Sequence, residues 1–94
     1  MKTYLVCCGP NGRAVLVGKS ETEPIAGQPI RLVQTRMILY WDRQCGGLLG
    51  LAARGPKGET RITAPVPSHG DECVRQWLEL TPDAAAAIDA WPSA

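Results

Sequence analysis

A chain of 94 residues, with ten Lys and Arg against nine Asp and Glu, has room for one domain around a modest core, a size at which oligomerisation adds useful stability. The two charge signs are scattered, which excludes both the basic stripe of a typical nucleic-acid binder and the acidic surface of a DNA mimic, so no sequence-specific nucleic acid is expected as a partner. No apolar run approaches a membrane span, and the one in MKTYLVCCGPNG breaks off before the length of a signal-peptide core; a cytoplasmic protein without a membrane partner is expected.

Thr3 to Cys8 is rich in strand formers, Gly9-Pro10-Asn11-Gly12 is a turn, and Arg13 to Gly18 resumes with valine and leucine, which together read as a β-hairpin. Lys19 to Gln28 carries charge, Pro24 and Gly27 and reads as a solvated connection, with room for strand pairing near Ile25. Ile30 to Trp41 reads as one long strand, or as two with a bulge near Gln34-Thr35. Strict alternation puts Ile30, Leu32, Ile38 and Tyr40 on one face and Val33, Met37, Leu39 and Trp41 on the other. The second half is then apolar on both sides, as a central strand would be.

Gly46-Gly47 lets the chain turn, Leu48, Leu51 and Ala52 recur at helical spacing, and Gly55-Pro56 ends that short helix. Gly58 to Thr63 is a short strand, and Ala64 to Gly70 reads as a loop, extended where its prolines force it. Cys73 to Leu80 is the last strand, with Val74, Gln76, Leu78 and Leu80 on one side and Arg75, Trp77 and Glu79 on a mostly polar other side. Thr81 as N-cap, Pro82 as first helical residue and Asp83 at the positive helix end open a closing helix with Ala84, Ile88 and Trp91 on one face. The expected architecture is a single α+β domain over 1–94: a small, mostly antiparallel bent sheet, rolled or barrel-like, with two short helices.

Side chains for catalysis are sparse. There is one histidine, His69, in a Pro/Ser/Gly loop, and no nucleophile elbow or triad spacing, so an enzyme is not expected. Cys7 and Cys8 are adjacent and face opposite sides of a strand, and no C-x-x-C pair occurs; buried free thiols are expected rather than disulfides, a metal site or any other cofactor. Cys45, ahead of a glycine turn, reads as a packing residue, and Gly55-Pro56-Lys57-Gly58 as a turn that lacks P-loop spacing. Gly46-Gly47 at a helix start, with Arg43 or Arg54 nearby, is the best candidate for an anion. Tyr40 and Trp41 read as core packing, with base stacking as the alternative. Trp77, between Arg75 and Glu79 on a mostly polar strand face, reads either as a contact for a partner or for self-association or, equally, as structural cover. Arg36 reads as the partner of Asp42 or Asp71, with an anionic ligand as the alternative.

The segment Arg36-x-x-x-Tyr40-Trp41, followed by Gly47-Leu48-x-x-Leu51-Ala52-x-x-Gly55, resembles the core of a family of small uncharacterised proteins found mainly in phages and prophages. The resemblance extends to the preceding hairpin and to Thr81, Ala84 and Ile88 in the closing helix, whereas Cys45, Gly46 and the Pro65–Gly70 loop depart from it. It implies an accessory protein in the host cytoplasm, an anti-CRISPR-type inhibitor that binds a host defence protein complex through Trp77, Arg75 and Glu79. The alternative it implies is a homodimer or higher oligomer that sequesters a nucleotide immune signal with Arg36, Tyr40, Trp41, Arg43, Gly46 and Gly47.

Overall fold

The computed structural model describes residues 1–94. In chain order it contains β1 (Lys2–Cys8), β2 (Ala14–Ser20), β3 (Ile30–Tyr40), a 3-10 turn (Arg43–Cys45), α1 (Gly47–Arg54), β4 (Arg61–Ile62), β5 (Val66–Asp71), β6 (Val74–Glu79) and α2 (Pro82–Ala90). The fold is α+β, a mostly antiparallel six-stranded sheet with two helices. The strands run in the order β4-β3-β2-β1-β6, and β5 also lies on β3. β4 pairs with the C-terminal half of β3 and β5 with its N-terminal half, so the two act as one return strand with a break at residues 63–65.

Several expectations are corrected. Ala64 to Gly70 is not a loop throughout: Val66 to Asp71 pairs with β3, and Pro67 is tolerated because β5 is an edge strand with no neighbour on its outer side. Ile25 joins no strand and is exposed. The strands buried on both faces are β1 and β2, not β3.

The faces of β3 and β6 also differ from strict alternation. Gln34 takes φ +49° in the left-handed region and the pairing to β2 shifts register there, which adds one residue to β3. Leu32 and Ile38 therefore lie on opposite faces of the sheet, one in each of two hydrophobic clusters. A second shift, between Cys7 and Cys8 of β1, makes Arg75 the extra residue of β6 and turns Val74 and Trp77 to the same face.

The larger cluster joins Leu5, Cys7, Val15, Val17 and Ile38 of the sheet to Leu51, Ala52, Ala84 and Ile88 of the two helices. Full burial of Leu51 and Ile88 stabilises by about 2 kcal/mol each. The smaller cluster gathers Tyr4, Val6, Cys8, Leu16, Leu32 and Val74 on the other face, where no helix covers it. Leu32 of β3 and Val74 of β6, with two strands between them in the sheet order, belong to the same cluster because the sheet curls. Gly27 N–H to Val74 O at 2.7 Å and Val74 N–H to Gln28 O at 3.0 Å join the connection after β2 to the far edge. The sheet is bent but not closed into a barrel.

Candidate functional site

From Arg36 to Leu39 the strand β3 alternates as expected, and the pairing to β4 then shifts register between Ile38 and Tyr40, but only one face is covered. Val17 opposite Arg36 faces the helices, and Leu16 opposite Met37 faces away from them. Ile38 is buried, while Leu39 is 56% exposed, Tyr40 45%, and Met37 and Trp41 36% each. Val66, opposite Thr35 on β5, adds another exposed apolar side chain. Tyr40 and Trp41 are therefore surface residues and not the core packing expected for them. The apolar character of both faces was visible in the sequence; what it could not show was that α1 and α2 both lie on the same side.

Basic groups border this surface. The Arg61 guanidinium lies 6.0 Å from the centroid of the Tyr40 ring, a cation–π placement, and Arg43 is exposed just beyond Trp41. The turn that follows is fixed by Asp42. Its Oδ1 accepts the Gln44 N–H at 2.9 Å and its Oδ2 the Glu59 N–H at 3.0 Å, while its own N–H donates to Thr60 Oγ1 at 3.0 Å. Those backbone donors hold the Asp42 carboxyl below its ordinary value, so it remains an ionised tether. Cys45 is buried, with Sγ 3.3 Å from Thr60 Oγ1, as a packing residue should be.

Gly46 and Gly47 take φ +81° and +73°, which only glycine adopts without strain, and they start α1 with no side-chain cap. Arg54 reaches back to donate to Cys45 O at 3.2 Å, close to both Gly46 and Gly50. Tyr40, Trp41, Arg43, Gly46 and Gly47 thus follow one another along a single exposed stretch.

Arg36 does not join them. It is 4% exposed and pairs with neither Asp42 nor Asp71; Nε donates to Thr63 O at 2.7 Å, Nη1 to Ile88 O, and Nη2 to Ser93 Oγ at 3.5 Å. It clamps the chain's C-terminal end to the sheet and presents no free donor face to an anionic ligand. Trp77 is half-buried, edge-on to Tyr4 at 5.8 Å and packed against the smaller cluster, so its side of β6 is less polar than alternation implied. Its neighbours make surface contacts: Arg75 Nε donates to Gly9 O at 3.3 Å, and Glu79 lies 3.4 Å from Lys2 Nζ. His69 Nε2 stands 3.5 Å from Asp71 Oδ2, both side chains partly exposed.

The expected residues therefore form two separate surfaces, the end of β3 with the turn after it and the strand β6, with Arg36 in neither. No curated protein and no solved structure matches the chain. Residues 1–91 match the family described as Domain of unknown function (DUF6948), and the chain belongs to that family.

Proposed function

We propose that this DUF6948 protein is a non-catalytic binding protein that contacts a partner protein through Met37, Leu39, Tyr40 and Trp41. The observation that carries the reading is the exposure of these four neighbouring side chains at the end of β3, where Met37 and Leu39 lie on the sheet face that neither helix covers. Aromatic and methionine side chains beside arginine match the composition of protein contact surfaces. The resemblance to phage and prophage proteins supports an anti-defence setting in the host cytoplasm, with a host defence protein complex, of the anti-CRISPR kind, as the partner.

The test is plaque formation by a defence-sensitive phage on hosts that each carry one active defence system, with and without this chain. Restored plating on one host is expected, and Leu39→Asp or Trp41→Ala should cut it at least about tenfold with the melting temperature unchanged. Undiminished protection by both variants overturns the surface, and no protection on any host overturns the setting.

A second reading, sequestration of a nucleotide signal, draws on exposed Tyr40 and Trp41 placed just before the uncapped start of α1 at Gly46-Gly47. Arg43 rather than Arg36 would then meet the phosphate. A rise in melting temperature with cyclic or linear nucleotides supports this reading, and an unchanged melting temperature across the panel overturns it.

A further inference from the structure

Charge is unevenly spread around the exposed end of β3. From Arg43 to Arg61 the chain carries four cations, Arg43, Arg54, Lys57 and Arg61, against one acid, Glu59, while the remaining residues carry six cations and eight acids. All four cations are exposed, and each is tied to the stretch from Tyr40 to Cys45. Arg61 stands opposite Tyr40 with its guanidinium over the ring, and Arg43 lies in the turn that follows Trp41. Arg54 donates to Cys45 O. The Lys57 carbonyl accepts from Thr60 Oγ1 at 2.7 Å, and the same hydroxyl oxygen accepts the Asp42 N–H.

No acid of the chain forms an ion pair with this group. The ion pairs of the fold are Lys2 with Glu79, Lys19 with Asp89 and His69 with Asp71. Asp42, next to Arg43 in the chain, has both carboxylate oxygens committed to the Gln44 and Glu59 N–H groups.

We propose that the protein surface bound at Met37, Leu39, Tyr40 and Trp41 is acidic, with Asp and Glu side chains around an apolar centre. The proposal rests on the reading of these four residues as a protein contact, to which it adds the partner's chemistry. Protein interfaces place apolar side chains at the centre and polar groups at the rim, and here unpaired cations border the apolar side chains. A rim of one sign speeds encounter with a surface of the opposite sign and rejects surfaces of its own sign. Single-stranded nucleic acid would meet the same cations, but its bases stack on open aromatic rings. At this site Met37, Leu39 and Val66 are aliphatic, and Arg61 already lies over the Tyr40 ring. The net charge of the whole chain is only +1, unlike that of a basic nucleic-acid binder.

Selection of a random linear peptide library on the full chain reads the partner's charge directly. The wild type should enrich peptides in which Asp and Glu flank aromatic or aliphatic residues. A double variant, Arg43→Glu with Arg61→Glu, should enrich peptides bearing Lys and Arg instead. It should bind the acidic peptides at least about tenfold more weakly than the wild type at low salt, a gap that narrows at about 0.5 M salt. Leu39→Asp should also lose the acidic peptides, through the apolar centre. Unchanged circular dichroism shows that each variant folds. Neutral or basic peptides enriched by the wild type, or acidic peptides lost with Leu39→Asp but kept by the double variant, overturn the acidic partner and leave the contact surface standing. Peptides indifferent to Leu39→Asp, or no enrichment, overturn both. Displacement of the peptides by oligothymidylate at equal or lower concentration assigns the cations to single-stranded nucleic acid and overturns the proposal.

Discussion

Arg36 shows how one side chain can organise distant chain segments. Its donors reach partners 27, 52 and 57 residues away, and one of them is the Ile88 carbonyl in the last turn of α2, where the helix dipole favours a cation. A buried guanidinium carries a desolvation cost that only several well-placed acceptors offset. Arg36→Ala should therefore lower stability by about 2–4 kcal/mol, through lost charge-assisted bonds and the space left behind. Arg36→Lys should recover only part of that, because an ammonium cannot span the same acceptors as a planar fork. Urea denaturation at neutral pH checks both; a loss below about 1 kcal/mol for the alanine variant removes the clamp from the account of stability. None of this was legible locally. An arginine in an apolar strand reads as a surface charge or a ligand contact, and the carbonyls that bury it belong to segments whose placement depends on the whole fold. Trp77 was misplaced for a similar reason, since its packing partner Tyr4 lies on another strand.

Elements with local chemical signals were read correctly: the β1–β2 hairpin from Gly9-Pro10-Asn11-Gly12, the start of α2 from Thr81-Pro82-Asp83, and the end of α1 at Gly55. Thr81 Oγ1 accepts the Ala84 N–H at 3.1 Å and donates to Ala53 O at 2.8 Å, so the same cap also joins the two helices. The faces of the long strands were harder, because period-two alternation fails wherever one residue is inserted. A bulge near Gln34-Thr35 was an expected alternative, yet its effect on the face of Leu32 could be seen only once the left-handed residue was fixed as Gln34. That conformation resists β-branching. Gln34→Val should cost about 1–2 kcal/mol, whereas Gln34→Gly should stay within about 0.5 kcal/mol of wild type, since relief of backbone strain offsets the lost bond to Lys19 Nζ. Equal stabilities for the two variants in thermal melts would mean that the bulge sits elsewhere in solution.

At the scale of the whole molecule, both hydrophobic clusters are built on β1, with Leu5 and Cys7 in the larger and Tyr4, Val6 and Cys8 in the smaller. Because β1 contributes to both clusters, unfolding is expected to be a single cooperative step. The cysteines report on this directly. Cys7, Cys8 and Cys45 are buried and Cys73 is half-buried, all as free thiols. Burial raises the Cys7 thiol, and burial together with the negative charge of Asp71 pushes Cys8 up to about 11, so neither offers thiolate to a reagent at neutral pH while folded. With limiting iodoacetamide, Cys73 should be alkylated first. The other three should then react together at one rate that rises with urea, giving a mass spectrum of singly and fourfold labelled chains with little between them. Early labelling of Cys45 alone would show that the Arg43–Arg54 segment opens independently of the sheet. The α1 side of the larger cluster would then be a separate unit of lower stability, and the turn after Trp41 would be free to rearrange when a partner binds.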